Sequence, residues 1–159
     1  MTLHHGAGLT LVAMHFAPPR DLTARVVFAS ALYDLVVTAP FATPWTATRT
    51  IEQLTRVHQA LALSGSFALE GPMSLLFLNL MGSIVVVWSV VRLQTPTARL
   101  GAADTVGRIL FSSWFAFALA QGASTLLVAF LVLEVTWAMV QGLTVFRVLR
   151  ARRLATIPS

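Results

Sequence analysis

The sequence predicts an all-α fold: an integral membrane four-helix bundle with an additional amphipathic interfacial helix between spans 1 and 2. Three observations predict it. Of 159 residues, 57% are hydrophobic and 11% charged, whereas a soluble domain carries about a quarter charged residues. The apolar residues gather into four long runs separated by Pro, Gly and Arg. All eleven basic residues are arginines, and most fall on one side of those runs. Four spans of about 20 residues each use roughly half the chain. The remainder suits short loops and two tails, not a second folded domain.

Residues 1–24 read as an N-terminal cytoplasmic tail or interfacial segment. Gly8 to Phe16 is mildly apolar but too short to span, and Pro18-Pro19 follows it. The segment lacks the basic start and long apolar stretch of a signal peptide, and Met14 offers a second start position. Residues 25–146 form the four-span domain. Span 1 (about 25–42) contains VVFASALYDLVVTAPF and closes at Pro40 and Pro44. Trp45 then suits the aromatic belt of a membrane interface. Residues 46–70 bring Ile51, Leu54, His58 and Leu61 to one helical face, with Arg49, Glu52 and Arg56 elsewhere, as an amphipathic interfacial helix requires.

Span 2 (about 73–91) is the clearest, and Arg92 stops it. Pro96 and Gly101 break the following loop. Span 3 (about 106–121) is joined to span 4 (about 124–146) by a tight turn at Gln121–Ser124. Residues 147–159 are a basic cytoplasmic tail.

Four crossings put the two tails and the second loop on one side. Nine arginines fall there (Arg20, Arg25, Arg92, Arg99, Arg108, Arg147, Arg150, Arg152, Arg153), against Arg49 and Arg56 opposite. The positive-inside rule places that side in the cytoplasm. The expected location is a bacterial inner membrane with both termini cytoplasmic. Because the arginines flank apolar runs instead of forming a patch on a folded surface, nucleic acid is not the expected partner. Expected partners are the lipid bilayer and a membrane subunit or further copy of this chain.

The chain has no cysteine, which excludes a disulfide framework, thiol redox chemistry and cysteine-ligated metal. His4, His5, His15 and His58 show no metal-ligand spacing, and no two share a depth on opposing spans, so haem is not expected. No nucleotide-binding glycine motif or nucleophile elbow occurs. Neither a metal nor another cofactor is predicted.

Polar residues inside the spans are the informative ones, since a charge at a span centre costs about 2.5–3.5 kcal/mol on insertion scales. Asp34 lies about nine residues into span 1, roughly 14 Å along a helix. Glu134 lies at a similar depth in span 4, which runs the other way. Ser30, Asp34 and Thr38 share one helix face; Glu134, Ala138 and Gln141 share another; Asn79 and Ser83 recur in span 2. Span 3 offers Arg108, Ser112, Ala116 and Ala120, a mostly small stripe that permits close packing. Lipid cannot satisfy polar groups, so these stripes should turn inward.

The candidate mid-membrane polar site is therefore Asp34, Glu134, Asn79, Ser30, Thr38, Gln141 and Trp137. If adjacent, Asp34 and Glu134 disfavour double ionisation, so that a proton is shared. The plainer reading is that each acid is protonated, or hydrogen-bonded to Asn79, Ser30, Gln141 or a tryptophan N–H. Arg108 is expected to pair with Asp104 four residues earlier as a surface contact, with Asp34 as the other option. Trp45 and Trp88 read as belt residues. Trp114 and Trp137 lie deeper, and packing is favoured over lining a cavity.

The stretches YDLVVTAPFATPW (from Tyr33), LFLNLMGSIVVVWSVVRL (from Leu76) and DTVGRILF (from Asp104) resemble, in layout, small bacterial four-helix membrane proteins of the DoxX-like type, over about residues 25–146. That resemblance implies a membrane subunit associated with quinone-linked oxidation and carries over no catalytic residue. Three functions are consistent with the sequence. The first is a non-enzymatic accessory or assembly subunit, or a binder of a small hydrophobic ligand. The second is a proton-coupled small transporter using Asp34 and Glu134. The third is a membrane enzyme acting on a lipid or isoprenoid.

Overall fold

A computed structural model describes residues 21–69 and 71–155; the expectations for the first twenty residues, including His4, His5 and His15, lie outside them. The described chain is all-α. Helix α1 (Leu22–Thr38) runs into a 3₁₀ turn (Ala39–Phe41), followed by α2 (Pro44–Ala60), α3 (Gly71–Gln94), α4 (Ala98–Ala120) and α5 (Leu127–Ala155). Three of these segments are long and apolar enough to cross a membrane: Leu22–Phe41, Gly71–Gln94 and Leu127–Ala155.

Local chemistry explains the starts. Asp21 caps α1 by accepting from the Ala24 N–H at 2.6 Å. Thr43 caps α2 with Pro44 in the first turn, where a missing N–H costs nothing. Thr97 caps α4 by accepting from the Leu100 N–H. That cap moves the start of the third long helix from about residue 106 back to Ala98, absorbing most of the expected loop. Gly101, expected as a breaker, lies inside α4. A Cβ there would come within 2.7 Å of Val27 and 2.9 Å of Val145. Its bareness therefore serves close packing of three helices. At the far end, α5 continues through the basic segment to Ala155 instead of stopping near residue 146.

Helices α1 and α4 run one way, and α3 and α5 the other. Thr23 of α1 bonds to the Thr144 carbonyl of α5, and Gln141 reaches back to the Gly101 carbonyl of α4. Helix α1 packs on α3, α4 and α5, while α4 and α5 pair along their length. At the end of α1, the Phe41 backbone sits against Gly82 of α3, where a Cβ would lie 2.6 Å from the Phe41 carbonyl carbon. Asn79 donates to the Phe41 carbonyl (2.8 Å) and Ser83 to that of Ala42 (3.4 Å).

Helix α2 is the amphipathic element. Its Ala47 is fully buried, and Ile51, Leu54 and His58 are partly covered. Leu61, expected on the same face, lies past the helix end and is exposed. The segment after α2 folds onto the α4–α5 turn. Ser66 pairs with Ala123 in an isolated parallel bridge, and the Thr125 N–H donates to the Ser64 carbonyl. Gly65, at φ +84°, is packed directly against the Ala123 carbonyl; a side chain there would need both a left-handed backbone and space that is absent. His58 Nδ1 lies 2.7 Å from Ser124 Oγ, tying α2 to the same turn.

Burial is inverted relative to a water-soluble protein. Among the described residues, the buried polar or charged side chains outnumber the buried apolar ones nine to five. Val36, Phe77, Ile84, Val87, Trp114 and Phe146 are each more than 60% exposed. Soluble monomers rarely present contiguous apolar surface beyond a few hundred Å².

Two glycines provide a packing test. Gly82→Leu should lower the thermal midpoint of the purified protein, because overpacking costs about 1–3 kcal/mol and here the neighbour is rigid backbone. Gly107→Ala should be neutral or stabilising, since a Cβ there meets nothing within 4 Å and alanine favours helix by about 1 kcal/mol. Equal midpoints for the two variants would contradict this packing.

Candidate functional site: a buried ion cluster

The interior is organised by two arginines and three carboxylates. Arg92 of α3 is fully buried, and Arg108 of α4 is 2% exposed. Asp34 of α1 accepts from Arg92 Nη2 and, at 2.6 Å, from Arg108 Nη2. Asp104 of α4 also binds both arginines, through Arg92 Nη1 at 2.7 Å and Arg108 Nε at 3.0 Å. Glu134 of α5 binds only Arg108, through Nη1 at 2.9 Å. Helices α1, α3 and α5 thus each bring one charged group to a single cluster, and α4 brings two.

Neutral side chains complete it. Ser30 accepts from Arg108 Nη2 (2.8 Å) and Arg92 Nη1 (3.3 Å), and donates to Asp104 (3.4 Å). Ser89 accepts from Arg92 Nη2. Gln141, fully buried, donates through Nε2 to Asp104 (2.9 Å) and to the Gly101 carbonyl (3.0 Å). Two tryptophans cover the guanidinium groups. The Trp88 ring lies 5.6 Å from the Arg92 guanidinium carbon, and its Nε1 donates to Asp104 at 2.9 Å. The Trp137 ring lies 5.9 Å from that of Arg108 and packs on Tyr33. Flat guanidinium groups suit such faces.

Of the residues singled out from sequence, Asp34, Glu134, Ser30, Gln141 and Trp137 meet in this cluster. Asp34 and Glu134 are bridged by Arg108. Thr38 and Asn79 stand apart: Thr38 donates to the Asp34 backbone carbonyl, and Asn79 secures the 3₁₀ turn. Arg92 does not flank a span, because it is buried and doubly paired. The Arg108–Asp104 contact is not a surface pair. Trp88, expected as a belt residue, donates to the cluster, whereas Trp114, expected to pack or line a cavity, is 65% exposed.

Arg92 and Asp104 were not legible as site residues because charge is ordinary at the ends of apolar runs, and Trp88 and Ser89 because an aromatic or a small hydroxyl near a run's end is equally ordinary. A signal was present in their spacing. Trp88, Ser89 and Arg92 fall on one helix face, as do Asp104 and Arg108.

The cluster is almost closed. Three buried atoms among the described residues lack a partner: Arg92 Nε, Ser112 Oγ and Gln141 Oε1. A groove of about 530 Å³ runs outside, between α4 and α5, lined by Ile109, Ser112 and Ala116 on one wall and Leu131, Val135 and Ala138 on the other. No cluster residue lines it, so the charges do not face a ligand-sized space there.

Comparison with known families, curated proteins and solved structures finds no match to the chain.

Removing one partner from a buried ion pair costs about 3–5 kcal/mol because the other charge is left uncompensated. Arg108→Ala leaves three acids around one guanidinium and should destabilise the protein by at least that much. Arg108→Lys should rescue little, since a single ammonium cannot fork to three carboxylates. Thermal unfolding of both variants checks this, and a lysine variant as stable as wild type would refute the forked geometry.

Proposed function

We propose that this protein is a four-crossing integral membrane protein, and that it acts as a non-enzymatic accessory or assembly subunit. The observation that carries the membrane reading is the inverted burial, with charge and polarity inside and large apolar side chains outside. In water that arrangement would leave unfavourable apolar exposure. In lipid it matches the demand that polar groups be satisfied internally.

Helix α4 is the fourth crossing. It falls outside the three most apolar segments, but it is 23 residues long, enough for a hydrocarbon core about 30 Å thick. Its Asp104 and Arg108 are buried against partners, while Ile109, Leu110, Trp114 and Phe117 face outward. Average hydropathy therefore understates how apolar its lipid-facing side is.

Helix direction supports both termini on one side. With Arg92 and Arg108 removed from the flanking charges, the arginine balance becomes seven to two, since two of the nine counted from sequence are buried. Its sense remains termini inside. The accessory role is supported by the engagement of all five charged cluster groups with one another. The α4–α5 groove, walled by small and apolar residues, suits a partner helix or a small hydrophobic ligand.

Carbonate washing should leave the protein in the membrane pellet. A C-terminal alkaline phosphatase fusion should be inactive, and the same enzyme inserted after Ala68 active. Release by carbonate would defeat the membrane reading; the opposite phosphatase pattern would defeat the orientation. Purification in mild detergent should retain a second subunit or copy, and a monomer free of partners would argue against the accessory role.

A further inference from the structure

We infer that the cluster holds one exchangeable proton and that Glu134 carries it. The inference rests on the membrane reading above. Three carboxylates face two guanidinium groups, which leaves one negative charge uncompensated if every acid is ionised. An uncompensated charge is costly inside a bundle surrounded by lipid, and a single proton removes it.

The hydrogen-bond pattern identifies the carrier. Asp34 and Asp104 each bind both arginines, and Asp104 also accepts from Gln141 and Trp88. Glu134 accepts from Arg108 alone. Its side chain is 14% exposed, more than that of either aspartate. The groups facing it are Tyr33 and Asp34 from α1, and Arg108 and Asp104 from α4. Helix α3 contributes Arg92, which acts through Asp34. Two of these neighbours are acids and one is a phenol, and the single guanidinium that pairs with Glu134 also serves both aspartates.

The proton gives the interior two states, a neutral loaded one and an unloaded one bearing a single negative charge. Glu134 is the exchange point because its carboxyl combines a single guanidinium partner with the largest exposure of the three acids.

Dicyclohexylcarbodiimide tests this directly. A protonated carboxyl in an apolar setting adds across its C=N bond: the carboxyl oxygen bonds to carbon, the proton passes to nitrogen, and the acylisourea rearranges to a stable acylurea. The full chain in its native membrane should be labelled at Glu134, less so as the pH is raised, and Glu134→Gln should lose the label while keeping the wild-type thermal midpoint. In parallel, the infrared carbonyl band of a protonated carboxylic acid should be present in wild type and lost in Glu134→Gln. Label confined to Asp34 or Asp104, or absence of both label and band in a protein that resists carbonate extraction, overturns the proton assignment and leaves the membrane reading standing. Release by carbonate overturns the membrane reading itself.

Discussion

Arg108 is the residue on which the bundle depends. Its three guanidinium nitrogens reach Asp34, Asp104 and Glu134 on three different helices, and Ser30 shares one of them. Arg92 repeats the device from α3, joining Asp34 to Asp104. Apolar packing cannot play this part, because few apolar side chains are buried. Directional, charge-assisted hydrogen bonds set the helix register instead. Each arginine is then covered by a tryptophan, so strong electrostatics and exclusion of solvent coincide.

The rest of the architecture serves that centre. Gly101 lets α1, α4 and α5 approach beside it, and Gly82 lets the turn after α1 close onto α3. Helix α2 and the segment after it fasten the α4–α5 turn through Ser66 and His58. Glu134, paired with Arg108 alone, has the fewest ion-pair contacts of the five charged groups.

Much of the fold was legible because apolar runs and breakers report helices directly. The all-α class and the amphipathic element near residues 46–70 follow from periodicity alone. Asp34 and Glu134 stood out because charge in the middle of an apolar run is expensive. The same logic hid Arg92 and Asp104. At the end of a run, an arginine that snorkels toward water and one that turns inward to a partner have identical local sequence. What separates them is the position of neighbouring helices, which hydropathy does not carry. The α4 boundary was obscured for a related reason, because Gly101 and Asp104 look like loop residues until their contacts are known.

The distribution of charge among the helices bears on how such a chain is made. Helix α1 brings one buried acid, α3 one buried base, α4 an internally matched pair and α5 one acid. In the membrane setting proposed above, α1 and α3 each carry a lone charge until they meet, whereas Glu134 of α5 joins an arginine that Asp104 already matches within α4. Synthesis would therefore deliver α1 and α3 as a complementary pair and α5 as the bearer of the excess acid. A chain whose pairing failed would display an unshielded charge to lipid, a defect that membrane quality control can recognise without reading any sequence motif.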